Sequence, residues 1–583
     1  MPALLRSHRL PRHPCGAAAI CLALIASGCG GGGYGGSSGG GNYNNPVPVI
    51  SGLSPASASA GAAALQLTIN GSNFMSSSTV TYDGVAHPAT IVSASELTIQ
   101  LSVADLALAG SYPVIVTNPP PGGGASTPVP FVVGNPVPAI TGVSPALATA
   151  GAMAQTLTIN GSGFMSSSTV TYNGTVHTAT FGSATQLTIQ LTAADEATVG
   201  NYPVIVTNPT PGGGASNTAT FSVTPVLPAA ATVLILGGQT VSSTPLASAE
   251  VFAAASSSFS GAGTMRVARY RPTASLVSTA AGAAILIAGG LDASGTGIPT
   301  AETYQVAGKT FGAATLGMQC AHVGHTATVL QNGKVLIAGR VGTTIAACAE
   351  LYDPATATFT PTGSMKIPVS NHAAVLLSNG KVLIVGGTAD GTSCRSCVST
   401  NSAELYDPTT GTFVLTGSLT SGRSSPTATL LPSGQVLITG GGVNPTSGPL
   451  RTAELYDPVA GTFSSIASTM TVERQFHTAT LLTTGQVLLV GGLTKVGAVA
   501  TASADLYDPS TNTFHATGAM TSARLYHTAT DLGNGVILVA GGITSPTGMG
   551  ESTAELYDPT TGVFTPTGGL ATGRYGAAAS PLQ

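Results

Sequence analysis

The stretch AELYDPTTGTF, Ala403 to Phe413, is one of seven versions of a single unit spread over residues 226–583. Each version has an apolar run ending in Gly-Gly, then an acidic residue and an aromatic, then a Phe seven positions after that aromatic. The aromatic falls at Phe252, Tyr304, Tyr352, Tyr406, Tyr456, Tyr507 and Tyr557, in steps of 52, 48, 54, 50, 51 and 50 residues. A period near fifty suits a four-stranded propeller blade and is too long for the common helical repeats.

Within a repeat the four strands can be read from residue type. Small residues, as in HTATLL (His477 to Leu482), suit the crowded strand beside the central channel. A continuous apolar run such as KVLIVGG (Lys381 to Gly387) suits a strand covered on both faces. AELY forms the third strand, DPTTG a turn with Pro at its second position, and the Phe opens the fourth strand. The Gly-Gly pairs beginning at Gly237, Gly289, Gly386, Gly440, Gly491 and Gly541, with Gly339-Arg340 as the variant, together with the Tyr and Phe positions, resemble the kelch repeat. The chain departs from that pattern by carrying Phe (Phe259, Phe311, Phe359, Phe413, Phe463, Phe514, Phe564) where kelch repeats often have Trp. The propeller region opens at Ala230 on a second-type strand and ends with a first-type strand in Gly573 to Gln583. These two ends are expected to pair, closing seven blades without a free edge.

A second repeat precedes the propeller. LTINGSNFMSSSTVTYDG (Leu67 to Gly84) returns as LTINGSGFMSSSTVTYNG (Leu157 to Gly174), and YPVIVTNP at Tyr112 returns at Tyr202, both displaced by 90 residues. Short β-branched runs punctuated by Gly, Asn, Ser and Pro predict two tandem sandwiches, residues 47–134 and 135–225. SPASASAG, NGSNF and YPVIVTNP resemble the IPT/TIG family of immunoglobulin-like domains. Asn70 and Asn160 read as turn residues. The expected fold class is therefore all-β: two immunoglobulin-like β-sandwiches followed by a seven-bladed kelch-type β-propeller.

Charged residues make up 7% of the chain, against roughly 25% in ordinary soluble proteins. The net charge is −4, the 18 Lys and Arg are scattered, and residues 47–225 contain neither, so nucleic acid is excluded as a partner. Arg6, Arg9 and Arg12 followed by the apolar stretch Gly16 to Gly28 predict an export signal over residues 1–28. Ala26-Ser27-Gly28-Cys29 resembles the lipobox of bacterial lipoproteins, which implies lipid attachment at Cys29 and a membrane anchor in the cell envelope. The Gly-rich residues 29–46 would be its flexible tether. Cys15 and Cys21 leave with the signal, and Cys320, Cys348, Cys394 and Cys397 remain as candidates for disulfides with three pairings open. Cys394 and Cys397 have no second CxxC and no His pair nearby, which argues against zinc there.

Alignment of the repeats places Arg269, His322, Val369, Arg423, Arg474, Arg524 and Arg574 at one position just before the inner strand. Such a ring could grip a carboxylated glycan or another anion at the channel mouth. The competing reading pairs it with Glu250, Glu302, Glu350, Glu404, Glu454, Asp505 and Glu555 on the third strands, at the same end of each blade. Three residues after the ring, His325, His372, His477 and His527 begin inner strands and read as hydrogen-bonding strand residues spaced too widely for one metal.

Tyr526-His527 raises the copper radical oxidases of the galactose oxidase type, which are kelch-like propellers with Tyr and His ligands. No Cys is placed beside a candidate ligand Tyr, and Trp is absent. Asp292, Asp390, Glu473, Asp531 and Glu551 lie outside the repeat pattern and form no catalytic motif, and a G-x-S-x-G nucleophile is missing. The expected function is non-catalytic recognition of a glycan or protein, without a cofactor, through the inter-strand loops on the Arg face. Thr388 to Ser402 is the longest of those loops. The alternatives are a copper radical oxidase and a structural envelope component.

Overall fold

The computed structural model describes residues 44–582 apart from 241–243, 313–315, 342–346, 390–398, 444–447, 495–498 and 546–547. Cys29, Cys394, Cys397 and Asp390 lie outside the described residues, as do the signal and most of the tether. Among the described residues no helix is long and apolar enough to cross a membrane.

In the first sandwich one sheet orders Val49–Ser54, Leu65–Ser72, Glu96–Leu101 and Ala89–Ser93. The other orders Ser57–Ser59, Val129–Gly134, Gly110–Asn118, Thr79–Tyr82 and Val85–His87. Alternation along the strands turns Leu67, Ile69, Val80, Leu97, Val114, Val116 and Phe131 into one core of buried side chains. Asn118 stitches the segments together, accepting from Ser78 and donating to the carbonyls of Pro46 and Asn73. The second sandwich repeats this plan, with Asn208 in the role of Asn118. Asn70 and Asn160 correct the sequence reading. They sit within strands, opposite Gly52 and Gly142, where a β-bulge interrupts the pairing, so the turn composition around them marks a bulge.

The second sandwich rests on the propeller. Its strands Gly200–Asn208 and Ala219–Thr224 lie against the outer strand Val563–Thr567 of the last blade. Asn201 donates from Nδ2 to the Phe564 carbonyl at 2.8 Å and accepts from Ser222 Oγ at 2.6 Å.

Seven antiparallel sheets follow, and their inner strands succeed one another in a closed circle. The first blade takes its inner strand from the C-terminus, Ala578–Pro581, which pairs with Thr232–Leu236 in the register Val233↔Pro581 to Leu236↔Ala578. Val233, Ile235 and Phe252 then pack on Leu538, Ala540 and Leu556 of the last blade. Second strands such as Val382–Val385 and Val487–Val490 are buried at every position, as expected of runs sandwiched between blades. The Tyr and Phe of each repeat face one another across the third and fourth strands; Tyr406 and Phe413 have ring centroids 4.8 Å apart. Tyr406 also reaches the preceding blade, its hydroxyl 2.9 Å from Thr362 Oγ1. In the DPTTG turn the Asp407 carboxylate accepts from the Thr409 N–H at 2.9 Å and the Thr409 hydroxyl at 2.6 Å, while Gly411 supplies the positive φ.

Candidate functional site

The arginines of the aligned ring point into the blades. Arg269, Arg423, Arg474, Arg524 and Arg574 are at most 1% exposed. Arg474 shows the pattern: Nη1 donates to the carbonyls of Gly491 at 2.7 Å and Ser503 at 2.8 Å, and Nη2 donates to Ser503 Oγ at 3.0 Å and to Asp505 at 2.8 Å. Arg269–Glu302, Arg423–Glu454, Arg524–Glu555 and Arg574–Glu250 repeat it. Burial pulls the guanidinium pKa of Arg269, Arg423, Arg474 and Arg574 down, and the adjacent carboxylate opposes that pull. Each pair ties the start of an inner strand to the third strand of its own blade. The expectation of an anion-gripping ring at Arg269, His322, Arg423, Arg474, Arg524 and Arg574 is therefore corrected, because the carboxylates and Gly-Gly carbonyls engage these side chains inside the blades.

In the third blade His322 replaces the arginine, with Nε2 at 3.3 Å from Glu350, and Cys320 is bonded to Cys348 beside it. In the fourth, buried Val369 leaves Glu404 to accept from the N–H groups of Lys366 and Ile367, both at 2.8 Å.

The histidines are inter-blade clasps. His325, His372 and His527 meet the hydroxyls of Thr273, Thr326 and Thr478 on the preceding blade at 3.1, 2.9 and 2.9 Å, and His477 meets Thr439 at 2.9 Å. Burial pushes the imidazole pKa of His325, His477 and His527 down to about 3 and that of His372 to about 4, so all four are neutral near pH 7. The repeat's glycines make space for them, since a Cβ on Gly491 would lie 2.8 Å from His527 Cε1.

The side chains that do face the channel mouth belong to a position two residues after the arginine, of which the sequence reading singled out Tyr526 alone. It holds Arg271, Gly324, Asn371, Ser425, Phe476, Tyr526 and Gly576, and every one has a left-handed backbone, with φ between 51° and 60°. For a non-glycine residue that conformation costs about 1–2 kcal/mol. A belt of backbone hydrogen bonds around the axis holds it. Asn371 donates to Gly324 at 2.7 Å, Ser425 to Asn371 at 2.7 Å, Tyr526 to Phe476 at 3.3 Å, Gly576 to Tyr526 at 2.9 Å, and Arg271 to Gly576 at 2.9 Å.

The belt and the four histidines line a cavity of about 300 Å³. Its lining is both aromatic and polar. Phe476 and Tyr526 pack with ring centroids 4.3 Å apart, backed by Tyr270 and Tyr575. Beside them, Arg271 donates from Nη2 to Asn371 Oδ1 at 2.7 Å, and Ser425 is a further polar residue of the lining. The Arg271 guanidinium also stands 5.6 Å from the centre of the Tyr526 ring. Glycine is required at the gap Arg271 crosses, because a Cβ on Gly324 would lie 2.8 Å from Asn371 Oδ1. Among the described residues no carboxylate lines the cavity. His527, which follows Tyr526, directs Nε2 to Thr478, and Cys320 and Cys348 are bonded to each other. Two residues at the start of Thr388 to Ser402 and four at its end are described, and the centre of that loop, with Cys394 and Cys397, is outside the described residues.

Residues 48–133 and 138–223 each match the model of the IPT/TIG domain, and residues 370–420 match the Kelch motif. The chain joins two IPT/TIG domains to a kelch-type propeller. Among solved structures, a fungal alcohol oxidase described as having catalytic diversity among the AA5 family, in complex with copper, is 20% identical, with a TM-score of 0.42 over 52% of this chain and 67% of that one. YjhT is 13% identical, with a TM-score of 0.41 over 52% of this chain and 98% of its own. No curated protein matches the sequence.

Proposed function

We propose that the IPT/TIG–kelch chain is an exported, non-catalytic binding protein, held to the cell envelope by a lipid on Cys29, with the propeller presenting the channel mouth to a glycan. The left-handed belt supports this reading most directly. Five non-glycine side chains are kept in a costly backbone conformation, and their common consequence is to gather at one cavity. Backbone strain of this kind collects where a binding site over-determines it. Aromatic rings beside Arg271, Asn371 and Ser425 suit a sugar ring, whose C–H face stacks on Phe476 or Tyr526 while its hydroxyls meet the polar residues. A carboxylate on the sugar would add a charge-assisted bond to Arg271. The sandwiches, without Lys or Arg, act as spacers.

A glycan array read with the parent, Phe476→Ala and Arg271→Ala tests this. Binding that falls at least tenfold in both variants supports it. Parent protein without glycan binding, or variants that bind as the parent does, would overturn it. Stoichiometric copper in purified protein would favour an oxidase instead. Labelling of the cells' protein with a fatty-acid analogue, lost in Cys29→Ser, checks the anchor.

A further inference from the structure

The third blade differs from its siblings at three points that meet in space. In the arginine blades the guanidinium is held by a carboxylate and by a hydroxyl two residues before that carboxylate: Thr300, Thr452, Ser503, Thr553 or Ser248. Here the arginine is His322, the hydroxyl position is Cys348, and a further cysteine, Cys320, stands two residues before the histidine. The carboxylate, Glu350, is kept. One donor atom from each of Cys320, His322, Cys348 and Glu350 lies within 4.8 Å of all the others, and His322 and Glu350 are fully buried. Glu350 is fixed by the N–H groups of Gln319 and Cys320, both at 2.8 Å. His322 Nε2 is buried without a hydrogen bond of good geometry, although it stands 3.3 Å from that carboxylate.

We propose that this pocket has two alternative closures: the Cys320–Cys348 disulfide under oxidising conditions, and a four-coordinate divalent zinc site formed by Cys320, Cys348, His322 and Glu350 once the disulfide is reduced. Two thiolates, one imidazole and one carboxylate are a borderline-soft donor set that suits zinc. Bond lengths of about 2.0–2.3 Å need modest contraction of the donors, which side-chain rotation supplies once the sulfurs are no longer joined. A phosphine reductant gives two electrons to the disulfide and leaves as its oxide, with water supplying the oxygen and the two protons that the thiols take up. Zinc binding then releases those protons from the thiols. The inference is independent of the glycan reading, because the pocket lies inside one blade and shares no lining residue with the channel mouth.

The test uses the full chain with the other five cysteines replaced by serine. The protein is reduced with a phosphine, freed of reductant without oxygen, and titrated with Co²⁺ and then Zn²⁺. One Co²⁺ per chain with thiolate charge-transfer absorption, displaced by Zn²⁺, is the expected result, and the unreduced protein should bind neither. His322→Arg rebuilds the arginine–carboxylate pair of the neighbouring blades, and Cys348→Ser restores their hydroxyl. Both should stay folded by circular dichroism and bind at least 100-fold more weakly. Absence of stoichiometric metal in the reduced parent, equal binding by the unreduced parent, or undiminished binding by the two folded variants would each overturn the proposal.

Discussion

Arg474 and Phe476 are separated by one residue, belong to the same turn, and do opposite things. The arginine is fully buried, bonded to Asp505 and to the carbonyls of Gly491 and Ser503, and its work is to hold a blade's inner strand to its third strand. The phenylalanine stands on a left-handed backbone, half-buried at the cavity rim. The same contrast runs around the ring: the outer layer is nearly uniform in chemistry, whereas the inner belt carries Arg, Gly, Asn, Ser, Phe, Tyr and Gly in turn. A layer that must satisfy the same carboxylate in each blade has little freedom, and a layer that faces a shared opening can vary in each blade. Uniformity here marks structure, and variation on a fixed backbone is what the proposed recognition draws on.

That contrast can be broken most severely at the closing strand. Removing residues 573–583 deletes both the Arg574–Glu250 pair and the inner strand of the first blade, and cooperative thermal unfolding should be lost or its midpoint greatly lowered in calorimetry. Next in size, Arg474→Ala strands Asp505 in a buried site and is expected to cost about 3–5 kcal/mol in denaturant unfolding, with Arg524→Ala similar.

Acid should act on the layer between. An unfolded histidine titrates near 6.5, and His325, His372, His477 and His527 are held near 3 or 4 when folded. Their stabilising effect is therefore complete above pH 6.5 and is lost as the pH falls below it toward the folded values, by about 1.4 kcal/mol per histidine per pH unit. His477→Gln with His527→Gln should flatten the dependence of stability on pH between 6 and 4. The smallest expected change in stability is at the belt. Phe476→Ala, at a half-buried site, should cost about 1–2 kcal/mol while lowering ligand affinity tenfold or more. A variant at the belt that unfolds the protein, or an alanine in the arginine layer that leaves stability untouched, would erase the distinction.

The fold was legible because it is written as repetition. A fifty-residue period, Gly-Gly after an apolar run and AELYDPTTG name the four strands of a blade, and the terminal strand types foretell the pairing of Ala578–Pro581 with Thr232–Leu236. The arginine–carboxylate alternative was also visible in the alignment, since the two charges recur together at one end of each repeat. The belt was harder to see. Arg271, Asn371, Ser425, Phe476 and Tyr526 share no chemistry, so alignment shows only a variable position. What they share is a backbone angle, to which residue type gave little clue beyond Gly324 and Gly576. Asn70 and Asn160 misled for a related reason: a bulge and a turn draw on the same residues.

By itself the sequence determined the period, the strand order within a blade, the duplication of the sandwiches and which charges travel together, because these follow from local pattern and from the need to cover apolar strands. Only the tertiary structure decided which way the arginines point, that Cys320 meets Cys348 across 6.5 Å between Cα atoms, and that seven residues of six kinds converge on one opening. The first two are settled by packing within a blade, and the last depends on closing the circle, which brings residues some fifty positions apart to the same axis and lets the backbone belt fix each side chain's direction.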